Sequence, residues 1–137
     1  MAPQASGPLE KDVQRAVRDL FERVGVKVGN HSQFRPSNVH LGTGDLYLRH
    51  PRFRDAWFET KRQGGEQSLD QERFQADCEW AGVPYIIGGK YEALRFLESV
   101  GLWRLPAGVE MSQVATPTTV HRASERIARA AERKAKR

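Results

Sequence analysis

The sequence predicts a small α/β sandwich, on three observations. An apolar stripe of helical period stands near the N-terminus, two short strand-like runs flank a proline turn, and a capped helix precedes a further strand and helix. Leu9, Val13, Ala16, Val17, Leu20, Phe21 and Val24 make the stripe of a helix over 9–24, with Gly25 as its stop. Residues 26–41 read as loop with room for one short strand, with Gly29, Asn30, Pro36 and Asn38 as breakers. Strands are expected over 44–49 and 56–61, joined through His50 and Pro51. Gln63-Gly64-Gly65 is a turn, and Ser68 with Gln71 forms a capping box that opens a helix to Ala81. Gly82 ends that helix, 83–87 read as a strand, and a last core helix runs over 91–100 with Gly101 behind it.

Length and composition bound the rest. At 137 residues, 39% of them hydrophobic, the chain holds one domain with a real core. No run approaches the ~20 apolar residues of a bilayer span. A basic, apolar secretory start is not seen in 1–8, and the single cysteine, Cys78, forms no intrachain disulfide; an intracellular setting is the expectation. All of the net charge of +5 falls in residues 121–137, where seven Lys and Arg meet Glu125 and Glu132. Such a basic segment is a handle for polyanions, nucleic acid above all, or else a solvated tail. The organisation expected is a domain over 1–105, then a linker and a basic tail over 106–137 whose composition allows a helix, with Arg122, Arg126, Arg129 and Arg133 along one side.

The chemistry-bearing residues cluster around the second expected strand. In Trp57-Phe58-Glu59-Thr60-Lys61, alternate side chains share a face, so Glu59 and Lys61 project together at the strand's end. Beside large apolar neighbours, a carboxylate and an ammonium cost desolvation unless they have partners; the alternative is an exposed strand-end ion pair. Asp45 follows Gly42-Thr43-Gly44, and a hairpin between the two strands brings it to the Glu59 and Lys61 end; a plain turn aspartate is the alternative. Two carboxylates and a lysine suit phosphodiester hydrolysis, because carboxylates hold Mg²⁺ while the lysine offsets developing charge. Glu10 lies about 50° from the centre of the helix stripe and is aimed inward, unless it only complements the helix dipole. Gln71 shares a helix side with Phe74 and Cys78, and capping alone also explains it.

Taken in order, Glu10-Lys-Asp-Val-Gln14, Gly44-Asp45, Glu59-Thr-Lys61, Gly64-Gly65 and Ser68-Leu-Asp-Gln71 resemble the VRR-NUC family of PD-(D/E)XK nucleases. The resemblance covers about residues 9–100 and extends to Trp80-Ala-Gly-Val-Pro-Tyr-Ile-Ile and Tyr91-Glu-Ala-Leu. It implies a restriction-endonuclease-like αβββαβ core, a small mixed sheet flanked by helices. It makes Asp45 and Glu59 metal ligands, with the backbone carbonyl of Thr60, Lys61 the catalytic lysine, Glu10 an accessory carboxylate and possible ligand, and Gln71 the glutamine of the following helix. Gly44 stands where the name-giving motif has proline. Implied too are Mg²⁺, with Mn²⁺ as substitute, branched DNA such as Holliday junctions as substrate, and a homodimer. Arg62 and the four tail arginines named above are the candidate DNA contacts. Flaps, ends or duplex DNA are the alternative substrates, and a non-catalytic DNA-binding module the alternative class.

Several residues read as bystanders. Cys78 falls on an apolar helix face and reads as core. His31, His40, His50 and His121 lack metal-ligand spacing. Trp57, Trp80 and Phe96 read as core, and Trp103 as a dimer or lid contact.

Overall fold

The computed structural model describes residues 7–30 and 46–136. Helix α1 (Glu10–Arg23) leads to β1 (Lys27–Asn30), β2 (Leu46–His50), β3 (Arg54–Thr60) and a short β4 (Gly65–Gln67). Then follow α2 (Leu69–Ala81), β5 (Tyr85–Gly88), α3 (Lys90–Ser99), a 3-10 turn at Met111–Gln113, β6 (Val120–Arg122) and α4 (Ala123–Ala135). The main sheet has the order β1-β2-β3-β5, with antiparallel pairs except β3 and β5, which run parallel. The chain is therefore α/β with a small mixed sheet and flanking helices, as expected.

Each element follows from its residues. Val17 and Phe21 of the α1 stripe are fully buried, while Leu9, which caps the helix, and Ala16 stay exposed. Gly25 takes φ 88°, a left-handed value that glycine adopts without a Cβ penalty, and turns the chain into β1. Strands β2 and β3 pair from Leu46↔Phe58 to His50↔Arg54, the hairpin expected around Pro51. Period-two alternation puts Leu46, Leu48, Ala56 and Phe58 on one face, where they join Val17, Phe21, Ala93 and Leu97 in the core. Phe21 meets Phe58 edge to face at 5.6 Å between centroids. The opposite face presents Tyr47 and Trp57, with Phe74 of α2 at 5.3 Å from Trp57.

Ser68 and Gln71 form the expected capping box: Gln71 N donates to Ser68 Oγ at 3.1 Å, and Ser68 N to Gln71 Oε1 at 2.9 Å. Gly82 ends α2 in the left-handed region at φ 75°. Trp80 departs from expectation. It is 90% exposed, because it lies two residues, about 200° of helix, beyond the buried Cys78. Trp57, Phe96 and Trp103 are partly buried, Phe96 and Trp103 against the core and Trp57 between Tyr47 and Phe74.

The region expected as linker and tail closes back on the domain. Pro117 O accepts from Gln63 Nε2 (2.7 Å), Thr119 N donates to Gln63 Oε1 (2.9 Å), and Gly64 N donates to Thr119 O (2.9 Å). These bonds start a strand, β6, that pairs in parallel with β4. The expected tail helix forms as α4, anchored at its first turns: Ser124 donates to Glu72, and Arg126 meets Glu66 at 3.1 Å. Three-residue strands leave no period to read, which is why β4 and β6 escape the sequence pattern. Among the described residues, no helix is long and apolar enough to cross a membrane.

Candidate functional site

The C-terminal end of β3 gathers the charged residues. Central pairing with β2 and β5 fixes the backbone there, and Lys61 N extends the ladder by donating to Gly88 O at 2.8 Å. Glu59 is 0% exposed. Taking a carboxylate out of water costs on the order of several kcal/mol, so its partners matter. Tyr85 Oη, from β5, donates to Glu59 Oε1. Lys61 Nζ lies 3.7 Å from Glu59 Oε2 and 3.9 Å from Glu10 Oε1. The lysine side chain is 10% exposed and that of Glu10 50%, so the ammonium sits between an enclosed carboxylate and an open one.

The turn after Lys61 keeps this geometry. A Cβ at Gly65 would stand 2.9 Å from Arg62 O and 3.5 Å from Lys61 Cβ and Cδ. Only glycine lets β4 pass so close to the lysine stem. Beside it opens a cleft of about 270 Å³ between α1 and the start of α3, lined by Val13, Lys61, Arg62, Gly89, Lys90 and Thr118 among others. Arg62 Nη2 donates to Gly7 O at 2.9 Å, whereas its buried Nε has no hydrogen-bond partner among the described residues.

Of the residues expected at the site, Glu10, Glu59 and Lys61 come together, and Thr60 lies between the last two, fully buried. Gln71 spends its Oε1 on the cap of α2. Asp45 lies outside the described residues, as do His31 and His40; Leu46, its neighbour in sequence, pairs with Phe58, the residue before Glu59. Among the described residues, no three His, Cys, Asp or Glu side chains converge. Of the tail arginines, Arg126 is paired with Glu66, while Arg122, Arg129 and Arg133 are exposed.

Two buried or partly buried polar residues escaped the sequence reading, of which Tyr85 alone touches Glu59. Tyr85 could have been found: a tyrosine in a short apolar strand needs a partner for its hydroxyl, and β5 runs beside β3. Gln67 is 1% exposed, and its Nε2 donates to Gln75 Oε1 at 2.8 Å, whose own Nε2 donates to Glu79 at 3.1 Å. Its burial follows from β4, which had no signal. Cys78 is buried, and desolvation, with Asp77 and Glu79 beside it, pushes its thiol up to about 11. The thiol stays protonated near neutral pH and is no ready nucleophile. Compared with protein-family models, curated proteins and solved structures, the chain finds no match.

Proposed function

We propose that this chain is a metal-dependent DNA endonuclease that hydrolyses phosphodiester bonds in branched DNA such as four-way junctions. One observation carries the reading: a fully buried carboxylate, Glu59, shares a strand end with Lys61, whose ammonium also meets Glu10. A fold gains little from burying a charged pair, since apolar residues of similar volume often stabilise as well or better. Retained charge in such a place points to chemistry. The ordered resemblance to VRR-NUC nucleases supports the same assignment and is the ground for branched DNA and for a homodimer, whose two-fold symmetry suits paired cuts.

The donor set fits a hard divalent cation, since the groups offered are carboxylate oxygens. Glu59 and Asp45 would hold Mg²⁺ or Mn²⁺, with the Thr60 carbonyl and with Glu10 as a possible further ligand. With no third acid converging among the described residues, the reading depends on Asp45. A bound cation supplies Lewis acidity at the phosphate and a more acidic water. The chain's own groups do the rest. Tyr85 orients the Glu59 carboxylate, and Lys61 Nζ offsets charge developing on the phosphate and positions the attacking water. Glu10 steadies the ammonium from the open side.

The test is cleavage by purified protein with Mg²⁺ on a panel of four-way junction, flap, single-stranded and linear duplex DNA, beside a mobility-shift assay in EDTA. Cutting is expected in Mg²⁺ and not in EDTA, with the junction preferred. Asp45→Asn and Glu59→Gln should bind DNA without cutting it. Full cleavage by Asp45→Asn, or binding with no cleavage by the unaltered protein, overturns the reading.

A further inference from the structure

The opposite end of β3 carries a second cleft that the catalytic reading does not use. It holds about 480 Å³ and is lined by Lys27, Arg49, His50, Pro51, Arg54 and Asp55. The register brings these residues from three adjacent strands: Lys27↔Arg49↔Asp55 in one row, His50↔Arg54 in the next. Three cations and one carboxylate therefore line the cleft together. That carboxylate is already engaged, since Asp55 Oδ1 accepts from Tyr47 Oη at 2.5 Å and from Arg49 Nε at 3.2 Å. The side chains of Lys27 and Arg54 make no hydrogen bond or salt bridge among the described residues, although Arg54 stands near enough to act on the Asp55 carboxylate.

The backbone of the β2–β3 turn fixes where one of these cations sits. Arg54 has φ 69°, the one positive φ on a non-glycine residue among those described. A three-residue hairpin loop commonly puts the residue after its turn in this region, and the position that glycine or asparagine would fill with less strain is held here by an arginine. What it presents is a guanidinium that lines the cleft with no side-chain hydrogen bond among the described residues, a group suited to phosphate.

We propose that this cleft seats backbone phosphates of a nucleic-acid strand, at a docking point separate from Glu59 and Lys61. The choice of nucleic acid as the source of phosphate rests on the nuclease reading; the cationic cleft does not. Width favours a polymer over a free ion. Cations from three strands span roughly 10 Å, too far for one phosphate and suited to two or three successive ones. Arg54 and Glu59 are five residues apart on β3, roughly 17 Å. At about 3.4 Å per nucleotide, a strand lying along the sheet would reach the catalytic end some five nucleotides from the cleft.

The experiment is fluorescence anisotropy of the full chain with a labelled duplex of about 20 base pairs, in EDTA, over a salt series. The double variant Lys27→Gln/Arg54→Gly removes both charges while relieving the positive φ, so the fold is kept; thermal melting checks this. The plot of log affinity against log salt should flatten by about two units. An unaltered slope in a folded double variant overturns the proposal. Inorganic phosphate should displace the duplex no better than sodium chloride of equal ionic strength; displacement at low millimolar phosphate would instead mark the cleft as a small-anion site and overturn it. Cleavage in Mg²⁺ is read separately. DNA bound through the cleft but never cut would sink the nuclease reading alone, and DNA cut with the slope unmoved would sink this one alone.

Discussion

At the C-terminal end of β3, Glu59 is fully buried and shares Lys61 and Tyr85 as partners; at the N-terminal end, the Asp55 side chain is 46% exposed and meets Tyr47 and Arg49 near solvent. Both ends hold an acid, a base and a tyrosine. Their surroundings set different consequences. At the buried end Glu59 and Lys61 are almost cut off from water, so losing one of the two leaves the other with a desolvation penalty that little offsets. At the open end water stands in for a lost partner, and the ion pair contributes little. The buried end is thus suited to polarising a reaction, the open end to meeting a charged ligand without rigid demands.

The largest effect is expected from breaking the buried end. Lys61→Ala should lower the rate of Mg²⁺-dependent cleavage by about 10²–10³, the usual loss on removing one group that meets transition-state charge. Lys61→Arg should not restore it, because a planar guanidinium does not fit the place of a point ammonium between Glu59 and Glu10. Single-turnover rates on a junction substrate check both variants. Near-normal turnover in Lys61→Ala would reduce the pair to a structural ion bridge, and the two ends of β3 would then differ in burial only.

The tail is the third concentration of charge, and sharpening the comparison requires its share of DNA affinity to be known. Deleting all of 121–137 would strip β6 from β4 and uncover Gln67, so loss of binding would be confounded with loss of structure. Deleting 127–137 keeps β6, the Ser124 bonds to Glu72 and the Arg126 bridge to Glu66. It removes Arg129, Arg133, Lys134, Lys136 and Arg137. The salt slope should fall by up to about four units, with the order of preference among DNA substrates unchanged. Ile127 is 55% exposed on α4, and the rival role for that face is dimerisation. A dimer that dissociates on this truncation, seen by sedimentation, would overturn the affinity role.

The sequence was legible wherever a period or a cap is long enough to read. The α1 stripe, the β2–β3 hairpin and the Ser68–Gln71 box are local patterns, and each element lies within two residues of its expected bounds. The Glu59 and Lys61 pair was legible for the same reason, since alternation along one strand is local. Glu10 needed only its helical angle, and it reaches Lys61, though its side chain stays half open to solvent. What was not legible depends on contacts between distant segments. The β4–β6 pair joins residues 65–67 to 120–122, and nothing in three residues announces a partner so far away. Trp80 failed differently: hydrophobicity suggested core, and its angle beyond Cys78 decided against it. The cationic cleft, too, is assembled from three separate strands within residues 1–120, whose equal numbers of basic and acidic side chains hide it in a count of charges.

The smallest effect is expected at the open end, from Asp55→Asn. A hydrogen bond from the Tyr47 hydroxyl, then the guanidinium of Arg49, holds the Asp55 carboxyl below its ordinary value despite some opposing desolvation. A depressed folded pKa means that the native state favours the charged form. Its stabilisation is therefore present above the ordinary aspartate value of 3.8 and is lost as pH falls through the lower, folded one. With the side chain nearly half exposed, solvent screening limits the contribution to about 0.5 kcal/mol. Urea melts at pH 7 should show Asp55→Asn destabilised by that small amount, and the gap to the unaltered protein should close as pH is lowered below 3.8. The same substitution removes the one carboxylate lining the cleft, so duplex affinity in EDTA should rise slightly at low salt. A loss of several kcal/mol at pH 7 would show that Asp55 is as enclosed in its energetics as Glu59, and the distinction between the two ends of β3 would fall.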